Sequence, residues 1–260
     1  SSGVAGVAYA TILAQFISGL AIFWRLFRST EPHSLRFSEM KINTEILKRI
    51  IKIGFPAGFQ MAVTSFSNVF VQAYINSYGA ASTAGWGIYS RVDAFVILPT
   101  QSMAMSVTTF VGQNAGARKP DRIHKGMLQG LFISWGISAC IITTIYIFAP
   151  FIAGLFNRDA AVLGFAVLFL RLNSIFDPVN ATNQIEAGAL RGVGDSRTPM
   201  MIMLGSFVIF RQIYLFIISR LTSSIVFIAI GYPIGWLICT ALMTIHIKRI
   251  GWDNKLAGLK

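Results

Sequence analysis

The 260-residue sequence is 54% AVILMFWYC and only 12% Asp, Glu, Lys and Arg, about half the charged share of an ordinary soluble domain, which excludes a soluble globular protein. Its 22 basic and 10 acidic residues give a net charge of +12. That charge sits in alternate links between apolar runs, so it orients helices in a bilayer rather than marking a nucleic-acid partner.

Seven apolar runs lie near residues 4–27, 53–76, 86–112, 126–149, 160–188, 199–219 and 224–247. Each is long enough to cross about 30 Å of hydrocarbon as a helix. The short alternation of a membrane β-barrel is absent, so the predicted fold is all-α and integral to the membrane.

The first run, SSGVAGVAYA onward, has no Met and no basic leader, and the chain reads as a fragment. Gly6, Ala10, Ala14 and Ser18 recur at fourfold spacing, which predicts a helix-packing face. Residues 29–52 form the longest polar interval and predict a cytoplasmic linker. Within it Ile46, Leu47, Ile50 and Ile51 suit a short helix on the membrane surface.

Around the later runs, residues 25–52, 113–125, 188–198 and the tail from Lys248 hold seven, four, two and four Lys or Arg, whereas the alternate links hold Arg158 and Arg220. The positive-inside bias puts the basic links and the C-terminus in the cytoplasm, in a multi-pass protein of the cell's inner (plasma) membrane. Cys140 and Cys239 fall inside apolar runs, where thiols act as small hydrophobes. GVAYATILAQFISGLAIFWRLFR and IGYPIGWLICTALMTIHIKRI are both Gly-rich spans ending in basic residues, as if each closed one repeat. The predicted division is therefore 1–28 as the last helix of a preceding lobe, 29–52 as linker, 53–250 as a six-helix lobe and 251–260 as a tail.

IGFPAGFQ, SRVDAFVILP, VGQNAGARKPDRIHKG and EAGALRGVGDSRTP resemble the C-terminal half of multidrug and toxic compound extrusion (MATE) transporters. The resemblance implies two six-helix lobes around a central cavity, exporting cationic or amphiphilic compounds in exchange for H⁺ or Na⁺. Its implied partners are membrane lipid, small-molecule drugs and an N-terminal lobe. Members that place a carboxylate in the first helix of each lobe differ from this chain, whose 53–76 run has no acid.

A charge inside a bilayer needs a partner, a cavity or a proton. On one continuous helix Asn173, Asp177, Asn180 and Gln184 share a face, and Pro178 frees a carbonyl one turn earlier. This oxygen-rich patch is the predicted site for Na⁺ or a proton, with Asp93 as a further cation residue or as a partner of Arg171 or Arg211. Gln60, Thr64, Asn68, Gln72 and Asn76 form a polar stripe predicted, with Arg91, to line a substrate cavity. Phe59, Phe66, Phe70 and Tyr74 beside it offer π faces. Glu186 is expected to pair at the cytoplasmic edge with Arg191 or Arg197. His33, His124 and His246 are too scattered for a metal site, and no HExxH, GxSxG or phosphate-loop pattern occurs. Neither a cofactor nor enzymatic activity is therefore expected. Two alternatives stay open: a lipid-linked saccharide flippase, if Arg91, Arg171 and Arg211 line one cavity, and a seven-helix receptor.

Overall fold

A computed structural model describes residues 3–29 and 41–252. The helices are α1 (Gly3–Arg28), α2 (Thr44–Asn76), α3 (Ala80–Gly116), α4 (Pro120–Gly154), α5 (Ala160–Ser174), α6 (Asp177–Gly192), α7 (Arg197–Leu204), α8 (Arg211–Leu221), α9 (Ile225–Ala229) and α10 (Gly231–Ile250), with a π-helical turn at Gly205–Phe210 joining α7 to α8. No strand occurs among the described residues, as expected where lipid offers no hydrogen bonds and each segment must satisfy its own backbone. Most of the predicted linker and the tail beyond Trp252 lie outside the described residues.

The chain divides into two units, Ser1–Arg49 and Ile50–Lys260. In the first, Ala10, Ala14 and Ser18 of α1 are exposed.

All seven predicted runs are helical. By length and composition α1, α3, α4, α7–α8 and α9–α10 are fit to cross a membrane, and α5 with α6 adds a sixth if this pair, bent by 50°, is one span. α2, which carries the seventh predicted run and its polar row, is not among these spans. The predicted surface helix around Ile46–Ile51 is the beginning of α2, which continues without a break to Asn76.

Local chemistry sets the helix ends. Gly79 turns the chain between α2 and α3 at φ 100°, a conformation open to glycine. Asp159 caps α5, its Oδ1 accepting from the amides of Ala161 and Val162 at 2.9 and 3.1 Å. Gly194 at φ 81° makes the turn before α7, and Asp195 accepts there from the amide and hydroxyl of Thr198 at 3.0 and 2.7 Å.

Within the second unit α3 is central and packs on α4, α5 and α6, while α10 packs on α6, α8 and the π turn. The glycines of GALRG permit the α3–α6 approach: a Cβ at Gly188 would lie 2.7 Å from the carbonyl oxygen of Ala104, and one at Gly192 2.7 Å from that of Thr108. One apolar cluster joins Ile75, Trp86, Ala153, Val162 and Ile225; another joins Val111, Ala115, Ile123, Val193 and Trp252. The links at 77–79, 155–159 and 222–224 therefore gather at one end, with Arg158 and Arg220. The links at 117–119 and 193–196 gather at the other, with Arg118, Lys119, Arg122, Arg197, Lys248 and Arg249. Cysteines placed at the exposed Ser77 and Ala117 of an otherwise cysteine-free full-length protein are expected to react with impermeant maleimide from opposite faces of sealed cells, Ser77 from outside. Equal labelling of both from one face would refute this arrangement.

Candidate functional site

A cavity of about 360 Å³ lies among α2, α3, α6, α8, α10 and the π turn. Its polar wall is Thr64, Asn68, Gln72, Ser90, Asp93, Asn180, Gln184 and Arg211, and its aromatic wall is Trp86, Tyr89, Phe207, Tyr232 and Trp236. A second, smaller pocket is lined by Tyr89, Asp93, Val96, Ile145, Leu170, Ser174 and Asp177. Tyr89 and Asp93 belong to both, and the Tyr89 hydroxyl donates to Asp93 Oδ1 at 3.4 Å.

The predicted four-residue face is divided. The helix stops at Ser174 and restarts at Asp177, with Pro178 in the first turn of α6, where its missing N–H breaks no intrahelical bond. This break replaces the proline kink within one helix, and continuous periodicity no longer holds across it. Asn180 and Gln184 line the large cavity, Asp177 lines the small pocket, and the buried Asn173 donates to the Phe169 carbonyl at 3.0 Å. Asp177 Oδ2 and Asn173 Oδ1 are buried without a hydrogen-bond partner.

The α2 stripe is divided too. Thr64, Asn68 and Gln72 line the cavity, whereas Gln60 is buried elsewhere, accepting from Arg191 Nη2 at 2.9 Å and donating to Met203 Sδ at 2.9 Å. Asn76, also outside the cavity wall, accepts from Gln72 at 2.7 Å. Phe59, Phe66 and Phe70 are exposed, and Tyr74 is absent from the lining.

Of the three arginines, Arg211 alone lines the cavity. Arg91 is exposed and absent from this lining, and Arg171 donates to the Tyr146 carbonyl at 3.0 Å. Arg211 donates through Nη2 to Ser67 Oγ and Asn68 Oδ1, both at 2.8 Å, so neither arginine is the partner of Asp93 or Asp177. Nor does Glu186 form the expected pair with Arg191 or Arg197. It is 4% exposed, and Thr244 donates to its Oε1 at 2.7 Å.

Two groups were missed in the sequence. Asn183, fully buried, donates to the Trp236 carbonyl at 3.1 Å and accepts from Thr240 at 2.8 Å, clamping α6 to α10. The aromatic wall had a readable signal in GYPIGW, where Tyr232 and Trp236 stand four apart on one face. Gly235 between them leaves room for the Ser206 carbonyl, 3.3 Å from where a Cβ would sit.

Known proteins share this architecture. The probable multidrug resistance protein YoeA of Bacillus subtilis is 26% identical over 259 residues, covering 97% of this chain and 55% of its own. The probable multidrug resistance protein NorM of Thermotoga maritima is 26% identical over 205 residues, covering 77% and 43%. The chain thus spans about half the length of the curated relatives it matches. Among solved structures, the outward-facing conformation of a multidrug resistance MATE family transporter of the MOP superfamily superposes with a TM-score of 0.85 at 22% identity, over 95% of this chain and 57% of that one. A MOP superfamily transporter from Pyrococcus furiosus superposes with a TM-score of 0.88 at 21% identity, over 99% and 57%. These likenesses show a shared fold of membrane-spanning helices. A profile of the MatE family matches residues 56–217, well over half of the sequence, and the chain belongs to that family.

Proposed function

We propose that the chain is one half of a secondary multidrug antiporter, exporting cationic or amphiphilic compounds in exchange for H⁺ or Na⁺ across the plasma membrane. The remainder of the transporter supplies the lobe facing the cavity. The observation that carries this reading is the position of Asp93, which lines both the aromatic, amide-rich cavity and the small pocket that holds Asp177. Trp86 and Tyr89 offer π faces to a cation, and Asp93 offers the matching charge. Asp177 holds the coupling proton or Na⁺, and Asp93 connects its occupancy to the substrate. Family membership sets aside the receptor reading. The single cavity arginine favours efflux over flipping of a lipid-linked saccharide, whose phosphates call for several cations. The relatives' names as multidrug resistance proteins support the same choice.

The test is transport by the full-length protein in proteoliposomes, with H⁺ and Na⁺ gradients imposed separately. One of the two is expected to drive ethidium export; export under neither would sink the proposal.

A further inference from the structure

We propose that this cavity prefers aromatic substrates bearing an anionic group, which Arg211 binds. The inference deepens the efflux reading and rests on it. Arg211 is 3% exposed and lines the cavity. A guanidinium stays charged, and burying that charge demands compensation. The acceptors it holds, Ser67 Oγ and Asn68 Oδ1, are neutral, and its Nε is buried without a partner. Its carbon Cζ stacks over the Tyr232 ring at 4.6 Å, which holds the guanidinium plane in place.

Asn68 Oδ1 also accepts from the Tyr232 hydroxyl at 3.3 Å. Both bonds use its acceptor side and leave its amide nitrogen as a second donor beside Arg211. The opposite charge, Asp93, reaches the same cavity from α3 rather than α8. Trp86 and Tyr232, ring centroids 5.5 Å apart, line it as well. Such a site is complementary to a flat ligand with a carboxylate or sulfonate at one edge and a cation or N–H donor at the other. Two donor groups match one oxyanion in fork geometry, and the pairing completes the charge that the protein leaves open.

The experiment uses the purified full-length transporter and two dyes with identical rings, a rhodamine with a free benzoate and its methyl ester. Fluorescence polarisation gives the affinity of each, and the readout is their ratio. The wild type is expected to favour the free acid, and Arg211→Gln to lower the acid-to-ester ratio by about tenfold or more. Arg211→Lys keeps the charge but loses the fork, and should lower the ratio by about threefold. It also serves if the Gln variant does not fold. A wild type without preference, or variants with an unchanged ratio, would overturn the proposal, and the latter is the result expected if a carboxylate of the other lobe or a chloride neutralises Arg211. If the ratio depends on Arg211 but neither gradient drives export of either dye, the efflux reading fails while the anion site stands.

Discussion

Replacing Asp177 by Asn in the full-length transporter is expected to lower gradient-driven export by about tenfold or more while leaving the amount of folded protein in the membrane near that of the wild type. Asn keeps the size of the side chain and removes the site for a proton or Na⁺. The fold should tolerate the change because no arginine depends on this acid. Arg171 is held by the Tyr146 carbonyl, and Arg211 by Ser67 and Asn68. Had Asp177 been the partner of either, the same change would have orphaned a buried guanidinium at a cost of about 3–5 kcal/mol. Flux in proteoliposomes and yield on size exclusion separate these results. Undiminished export would move the coupling role to Asp93, which shares the small pocket with Asp177.

Gly188→Leu is expected to open the α3–α6 packing. A Cβ there would meet the Ala104 carbonyl oxygen at 2.7 Å and Thr108 Oγ1 at 2.9 Å, and backbone cannot retreat as the end of a flexible side chain can. Overpacking commonly costs about 1–3 kcal/mol, and here the whole α3–α6 contact must open. Gly164→Leu on α5, where a Cβ would meet nothing within 4 Å, is the matched control. Thermal unfolding in detergent should show a large loss for Gly188→Leu and little for Gly164→Leu. Equal stability of the two would mean that α3 and α6 do not approach as described.

The helices were legible because length and apolar composition are nearly sufficient in a bilayer. Their phases were less so. Residues four apart advance 40° around a helix of 3.6 residues per turn, so Gln60 and Gln72 stand about 120° apart. That drift is why one end of the stripe reaches Arg191 while Thr64, Asn68 and Gln72 reach the cavity. The face from Asn173 to Gln184 assumed an unbroken helix, and the stop at Ser174 voided the assumption between Asn173 and Asn180. For Arg91 the sequence offered a charge in an apolar run but no indication of its direction. The aromatic residues expected at the cavity, Phe59, Phe66, Phe70 and Tyr74, adjoin polar residues on α2. Those that line it belong mainly to α3 and α10, elements brought together only by tertiary packing.

The π turn between α7 and α8 makes the position of Arg211 a matter of counting. Its hydrogen bonds reach to the fifth residue instead of the fourth, so the span Arg197–Leu221 stores about one residue more than a uniform α-helix of the same rise. Each residue rotates a helix by about 100°. Rewinding Gly205–Phe210 into ordinary α-helix with every residue kept would turn α8 by about that angle, and Arg211 would then point away from Ser67 and Asn68 without any change in composition. Losing one residue together with the rewinding would leave α8 in its present phase, because that residue is the one the π turn absorbs. In this stretch of the chain, the register of the backbone hydrogen bonds sets which side chains the cavity receives.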